Sequence, residues 1–142
     1  MRKLIYLITL LFLTRPVFAL DQASLLDIAN KLFGHKDYTT AIKIYKDLSN
    51  QGYAAAQFHL GMTYANGIEI KQDYHQAVFW YRKAADQGYA RAQYNLGAMH
   101  AKGKGVRKDN KTAKEWYGKS CDNGNQFGCD LYRELHEKEN NK

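Results

Sequence analysis

Beyond its first twenty residues the chain falls into blocks in which apolar side chains recur every three or four positions. Short breaks rich in glycine and polar residues separate the blocks. This period places apolar side chains along one stripe of a helix. It predicts seven helices, at 22–33, 38–50, 54–65, 74–86, 90–101, 110–122 and 126–138. Gly52, Gly88 and Gly124 each follow a helical block, where a chain leaving a helix needs a left-handed residue. Asn66-Gly67 and Lys102-Gly103 end two further helices. Asp73 and Asp109 stand where N-caps belong.

The blocks are copies of one another. Residues 37–72, 73–108 and 109–142 align at an offset of 36 residues, without a gap until the C-terminus. Ala41, Ala77 and Ala113 are small positions that let two helices approach. Tyr45, Tyr81 and Tyr117 follow four residues later on the same face, and Trp80 and Trp116 match Ile44. Ala56, Ala92 and Gly128 are the small positions of the next helix. Leu60-Gly61 and Leu96-Gly97 recur together. A glycine inside a helix costs about 1 kcal/mol relative to alanine, so its recurrence points to a tight helix crossing. Short turns after Gly88 and Gly124 make neighbouring helices antiparallel. Each pair leaves an apolar face that the next pair covers, which builds a solenoid.

The copy Ala77, Trp80-Tyr81, Ala84-Ala85, Gly88, Ala92, Leu96-Gly97, His100, Gly103, Gly105-Val106 resembles the Sel1-like repeat, a branch of the tetratricopeptide superfamily. The copy before it keeps Ala41, Tyr45, Gly52, Ala56, Leu60-Gly61, Tyr64 and Gly67. The copy after it keeps Ala113, Trp116-Tyr117 and Gly124, then departs: Tyr132 replaces the leucine and Arg133 the glycine, as in a capping helix. At the N-terminus the spacing from Ala29 to Ala41 is 12 residues instead of 16, and is similar to an ordinary tetratricopeptide hairpin. The resemblance implies an all-α, right-handed solenoid. A tetratricopeptide-like hairpin at about 22–50 leads into Sel1-like repeats at about 54–88 and 90–124 and a capping helix at about 126–138. It also implies a non-catalytic adaptor that binds a protein or peptide. By analogy with the superfamily the inner surface carries Ala55, Phe58, Met62 and Asn66, then Arg91, Tyr94, Ala98 and Lys102. Arg91 and Lys102 beside apolar residues could hold a carboxylate or an acidic side chain.

Met1–Lys3 is a short positive segment, Leu4–Leu13 an apolar run, and Val17-Phe18-Ala19 a small-x-small cleavage site. Together these read as a secretory signal peptide over residues 1–19, too short in its apolar core for a lasting membrane anchor. Cleavage leaves 123 residues, 20–142, with periplasmic or secreted destination. The full chain carries +7, and without Arg2, Lys3 and Arg15 the charge is +4. That mild, dispersed charge does not call for nucleic acid, while a negatively charged partner or surface polymer stays open.

Cys121 ends the sixth helix and Cys129 begins the seventh. Eight residues around a turn suit a disulfide clamping an antiparallel pair in an oxidising compartment. The spacing lacks the Cys-x-x-Cys arrangement of a reactive pair. His35, His59, His75, His100 and His136 form no dense ligand motif, so neither a metal nor a cofactor is expected. His100 takes the place of Tyr64 and reads as a packing residue; His59 reads as facing away from the core stripe. The acidic residues recur with the repeat, and catalytic carboxylates would break it. Gly103-x-Gly105 follows a helix and lacks a Lys-Ser ending, so it reads as a turn. No enzyme is expected. A weak hydrolase or β-lactam-binding protein, as reported for some cysteine-rich relatives, is the alternative, against which stands the lack of a Ser-x-x-Lys motif after residue 19. A partner-neutralising, immunity-like envelope protein is another. Residues 138–142 are expected to be disordered, and the tail from Glu137 onward frayed.

Overall fold

The computed structural model describes residues 20–141. The predicted signal peptide, residues 1–19, lies outside the described residues. Seven helices follow in order: α1 (Gln22–Gly34), α2 (Tyr38–Asn50), α3 (Ala54–Asn66), α4 (Tyr74–Asp86), α5 (Ala90–Lys102), α6 (Asn110–Asp122) and α7 (Gln126–Asn140). No strand occurs among the described residues. Packing runs between sequential helices and is closest within α3/α4 and α5/α6. The result is a solenoid of antiparallel helix pairs, with α7 packed on α6.

The first six helices end within one residue of their predicted bounds. The last does not. α7 continues through Asn140, where a frayed tail was expected. Lys138 pairs with Glu134 one turn earlier at 2.5 Å, and Lys114 of α6 reaches Glu139 at 2.5 Å. These pairs offset the polar composition of the segment.

Asp73 and Asp109 cap α4 and α6 as predicted, each accepting from two backbone N–H groups. Asp21, Asp37 and Asn125 cap α1, α2 and α7, each accepting from one backbone N–H group. Gly88 turns the chain between α4 and α5 with φ +84°, and its equivalents Gly52 and Gly124 share that conformation. In the longer α5–α6 loop Gly105 has φ +68°, and a Cβ there would lie 2.3 Å from the Tyr74 carbonyl oxygen. The equivalent loop before α4 has Glu69 at φ +55°, so the turn survives without its second glycine.

The helix crossings rest on two glycines. A Cβ on Gly61 would stand 2.6 Å from the Tyr81 ring, and one on Gly97 would stand 2.8 Å from the Tyr117 ring. Those rings fill the space a side chain would need. Tyr45, Tyr81, Tyr117 and Trp116 are buried, whereas Trp80 is half-buried.

A second device repeats with the same period. Gln57 and Gln93 are buried and donate to the carbonyls of Ser49 and Ala85, which ties each helix to the one before it. Gln87 then donates to Gln57 Oε1 at 2.8 Å, and Asn123 to Gln93 Oε1 at 3.0 Å. A ladder of amides thus links successive repeats. One period after Ala85 and Gln93 stand Cys121 and Cys129, joined in a disulfide with Cα atoms 4.5 Å apart. The covalent bond replaces the glutamine-to-carbonyl hydrogen bond of the earlier pairs.

Gly97→Ala should lower unfolding stability by about 1–3 kcal/mol, because Tyr117 must move. Gly34→Ala, where a Cβ meets nothing within 4 Å, should be neutral or stabilising by up to about 1 kcal/mol. Denaturant titration of both variants checks the contrast. Replacing both cysteines by alanine should cost about 2–3 kcal/mol. Hydrogen exchange should then accelerate in α6 and α7 first, leaving α1–α4 protected.

Candidate functional site

An open groove of about 820 Å3 crosses α3 and α5 and reaches the start of α7. The helical register explains its lining. Phe58, Met62 and Asn66 project from α3 at intervals of four residues, and Arg91, Tyr94, Ala98 and Lys102 from α5 at intervals of three and four. All six predicted binding residues (Phe58, Met62, Asn66, Arg91, Tyr94 and Lys102) line this one groove, as does Ala98; Ala55 does not.

Their roles within it differ. Phe58 is 2% exposed, so it belongs to the core and forms the floor instead of a free contact surface. The Arg91 guanidinium sits 4.7 Å from its ring centroid and covers it. Tyr94 is half-buried, 5.8 Å from the Tyr117 ring and 6.3 Å from the Phe127 ring. Asn66 and Lys102 are exposed at the far end.

Several lining residues escaped the sequence reading. Phe127 is 72% exposed and forms a wall. It stands 36 residues after Arg91, so the repeat offset was a signal for it. Asn123, Gly124, Asn125 and Gln126 come from the turn enclosed by the Cys121–Cys129 disulfide. Tyr74 and Lys104 close the opposite end, with Lys104 Nζ donating to Tyr74 Oη at 3.3 Å. The lining holds three cations, Arg91, Lys102 and Lys104, and no carboxylate.

Behind the floor lies a titratable pair of elements. His59, expected to face away from the core, stacks on Tyr45 of α2, with ring centroids 4.9 Å apart and planes within 7°. A neighbouring helix supplies the cover that its own helix stripe lacks. Burial, helped by the positive charge of Arg91, pulls its pKa down to about 4. His100 is buried, as a packing residue should be, and burial with the nearby Arg82 lowers its pKa too. Arg82 Nη2 stands 3.4 Å from His100 Nε2. Burial pushes the Tyr45, Tyr81 and Tyr117 phenols up to about 12, so near neutral pH they are protonated. Among the described residues no three His, Cys, Asp or Glu side chains converge as metal ligands. None of the described helices is long and apolar enough to cross a membrane.

The Sel1 repeat pattern matches residues 54–89 and 90–125, which are α3/α4 and α5/α6 with their turns. The chain belongs to the Sel1 repeat family. Sel1 repeats generally serve as protein-interaction modules, and the fold is typically a non-catalytic scaffold. This Sel1 repeat protein is similar to c5321, a protective antigen of uropathogenic Escherichia coli strains displaying an SLR fold. The TM-score is 0.78 at 30% identity, over 83% of this chain and 26% of that one. A Sel1 repeat protein from Oxalobacter formigenes gives 0.75 at 30% identity, over 84% and 50%. Cysteine-rich protein B of Helicobacter pylori gives 0.64 at 26% identity, over 66% and 70%. The Sel1 repeat protein therefore spans about a quarter and half of the first two relatives. A comparison with curated proteins finds no match.

The two depressed histidines set a pH dependence. Each is neutral in the folded chain and takes up a proton near pH 6.5 when unfolded. Their contribution is complete above that pH and falls as pH drops toward the folded value, about 4 for His59. For His59 the loss is on the order of 1–3 kcal/mol, discounted for its partial exposure. Thermal unfolding between pH 7 and 4.5 should show Tm falling with pH. His59→Phe should flatten that slope, and His100→Tyr should flatten it further. An unchanged slope in both variants contradicts the assignment.

Proposed function

We propose that the chain is a non-catalytic adaptor that works in the bacterial periplasm or after secretion and holds an extended segment of a partner protein in the groove. The observation that carries this reading is the groove itself. Its walls come from α3, α5 and the start of α7, so it draws on successive repeats. Apolar floor residues lie beside exposed amides and cations, the mixture that receives a peptide's side chains and backbone. Its cavity volume suits a few side chains, not a folded domain.

The location is supported by the leader-like sequence of residues 1–19 and by the Cys121–Cys129 bond, which persists in an oxidising compartment. The likeness to a cysteine-rich Helicobacter pylori protein agrees with it.

The full-length chain, expressed in a Gram-negative host, tests both parts at once. Crosslinking from separated periplasmic, membrane and cytosolic fractions should capture a discrete protein. The recovered chain should begin at Leu20 and be two protons lighter for its disulfide. Arg91→Ala and Tyr94→Ala should each abolish the complex while circular dichroism stays unchanged. A complex that survives both substitutions overturns the groove, and an uncleaved, reduced chain overturns the location.

A further inference from the structure

The charges of the groove are unpaired and set apart in space. Among the described residues, Arg91, Lys102 and Lys104 have no carboxylate within ion-pair distance. Two acids stand on α7 one repeat after Tyr94 and Ala98, and both are engaged. Asp130 accepts from Gln126 and lies 3.8 Å from Arg133, and Glu134 pairs with Lys138. Neither lines the groove. Arg91 is held by its stacking on Phe58, and Lys104 by Tyr74. Both cations are thus positioned before any ligand arrives, which lowers the ordering cost of binding.

Arg91 opens α5 and Lys102 ends it. Eleven residues of helix separate their backbones by roughly 16 Å. One carboxylate cannot reach both. Between them lie Tyr94, Ala98 and Met62, with Phe127 across the groove. The site has two cationic ends and an apolar middle.

Resting on the groove reading above, we infer that the occupant is an acidic linear segment, with two carboxylate side chains about five residues apart and an apolar or aromatic side chain between them. The spacing follows from an extended chain, which advances about 3.3 Å per residue. One carboxylate pairs with Arg91, the other with Lys102 and Lys104, and the middle side chain rests against Tyr94 and Phe127. Because both ends are open to solvent, the pairing weakens as salt rises.

A random twelve-residue peptide library displayed on phage, panned on the oxidised full chain, tests this. The enriched peptides should share two acidic residues four to six positions apart around an apolar one. Synthetic copies should bind at least tenfold more tightly than versions with both acids changed to Gln or moved to adjacent positions. Lys102→Glu and Lys104→Glu, on exposed side chains that leave the core untouched, should each cost severalfold, and Arg91→Glu tenfold or more. Enrichment of neutral or basic peptides that still need Tyr94 overturns the acidic segment and leaves the groove standing. Enrichment indifferent to Arg91, Lys102 and Tyr94 overturns both. Acidic peptides bound without regard to spacing overturn the two-ended site, and no enrichment at all overturns the linear segment.

Discussion

The architecture depends on a tyrosine ring occupying the place of a missing side chain. Tyr81 against Gly61 and Tyr117 against Gly97 bring each second helix onto the backbone of its partner. Everything outward of that contact follows from the distance it sets. The small residues Ala77, Ala92 and Ala113 are fully buried because the helices are that close. The glycine costs helix propensity, and the buried ring with its dispersion contacts offsets it. A larger residue at either position would widen the crossing and shift the first helix of the pair, from which the groove residues project.

The amide ladder acts at right angles to that contact. Gln57 and Gln93 each face two ways, donating to the last helix of the preceding pair and accepting from the residue that ends the second helix of their own. This fixes the offset between successive pairs, and so the relation between Phe58 on α3 and Arg91 on α5. Cys129 takes the glutamine's place on α7 and can serve only the inward role. Arg133 takes the place of the seat glycine. Both departures set α7 apart from α3 and α5. The apolar burial of α7 is slight, Gly128 being its one buried residue, so the disulfide carries much of its attachment.

Most of this was legible because the sequence repeats. A 36-residue period with alanine, tyrosine and glycine in fixed places specifies helices, turns and crossings together, and the groove positions on α3 and α5 came from the resemblance to the tetratricopeptide pattern. What escaped has physical causes. Phe127 shares a register position with Ala55 and Arg91, three residues of unrelated chemistry, so similarity could not flag it. Tyr74 and Lys104 enter from a helix start and a loop whose return path no helical wheel contains. His59 is off the stripe of its own helix, and its cover comes from Tyr45 on another. The tail of α7 is polar throughout, but its order comes from pairs such as Lys114 with Glu139 that span 25 residues.

Most helix packing within the chain passes from one helix to the next, so each pair is stabilised mainly by its immediate neighbours. Opening at one point need not spread to a distant one. The groove is different, since its walls come from three alternate helices that do not follow one another in sequence. An occupant touching α3, α5 and Phe127 would tie together units that the chain itself leaves only loosely coupled. Cooperativity in this array would then be a property of the bound state, conferred by the ligand and withdrawn on its release.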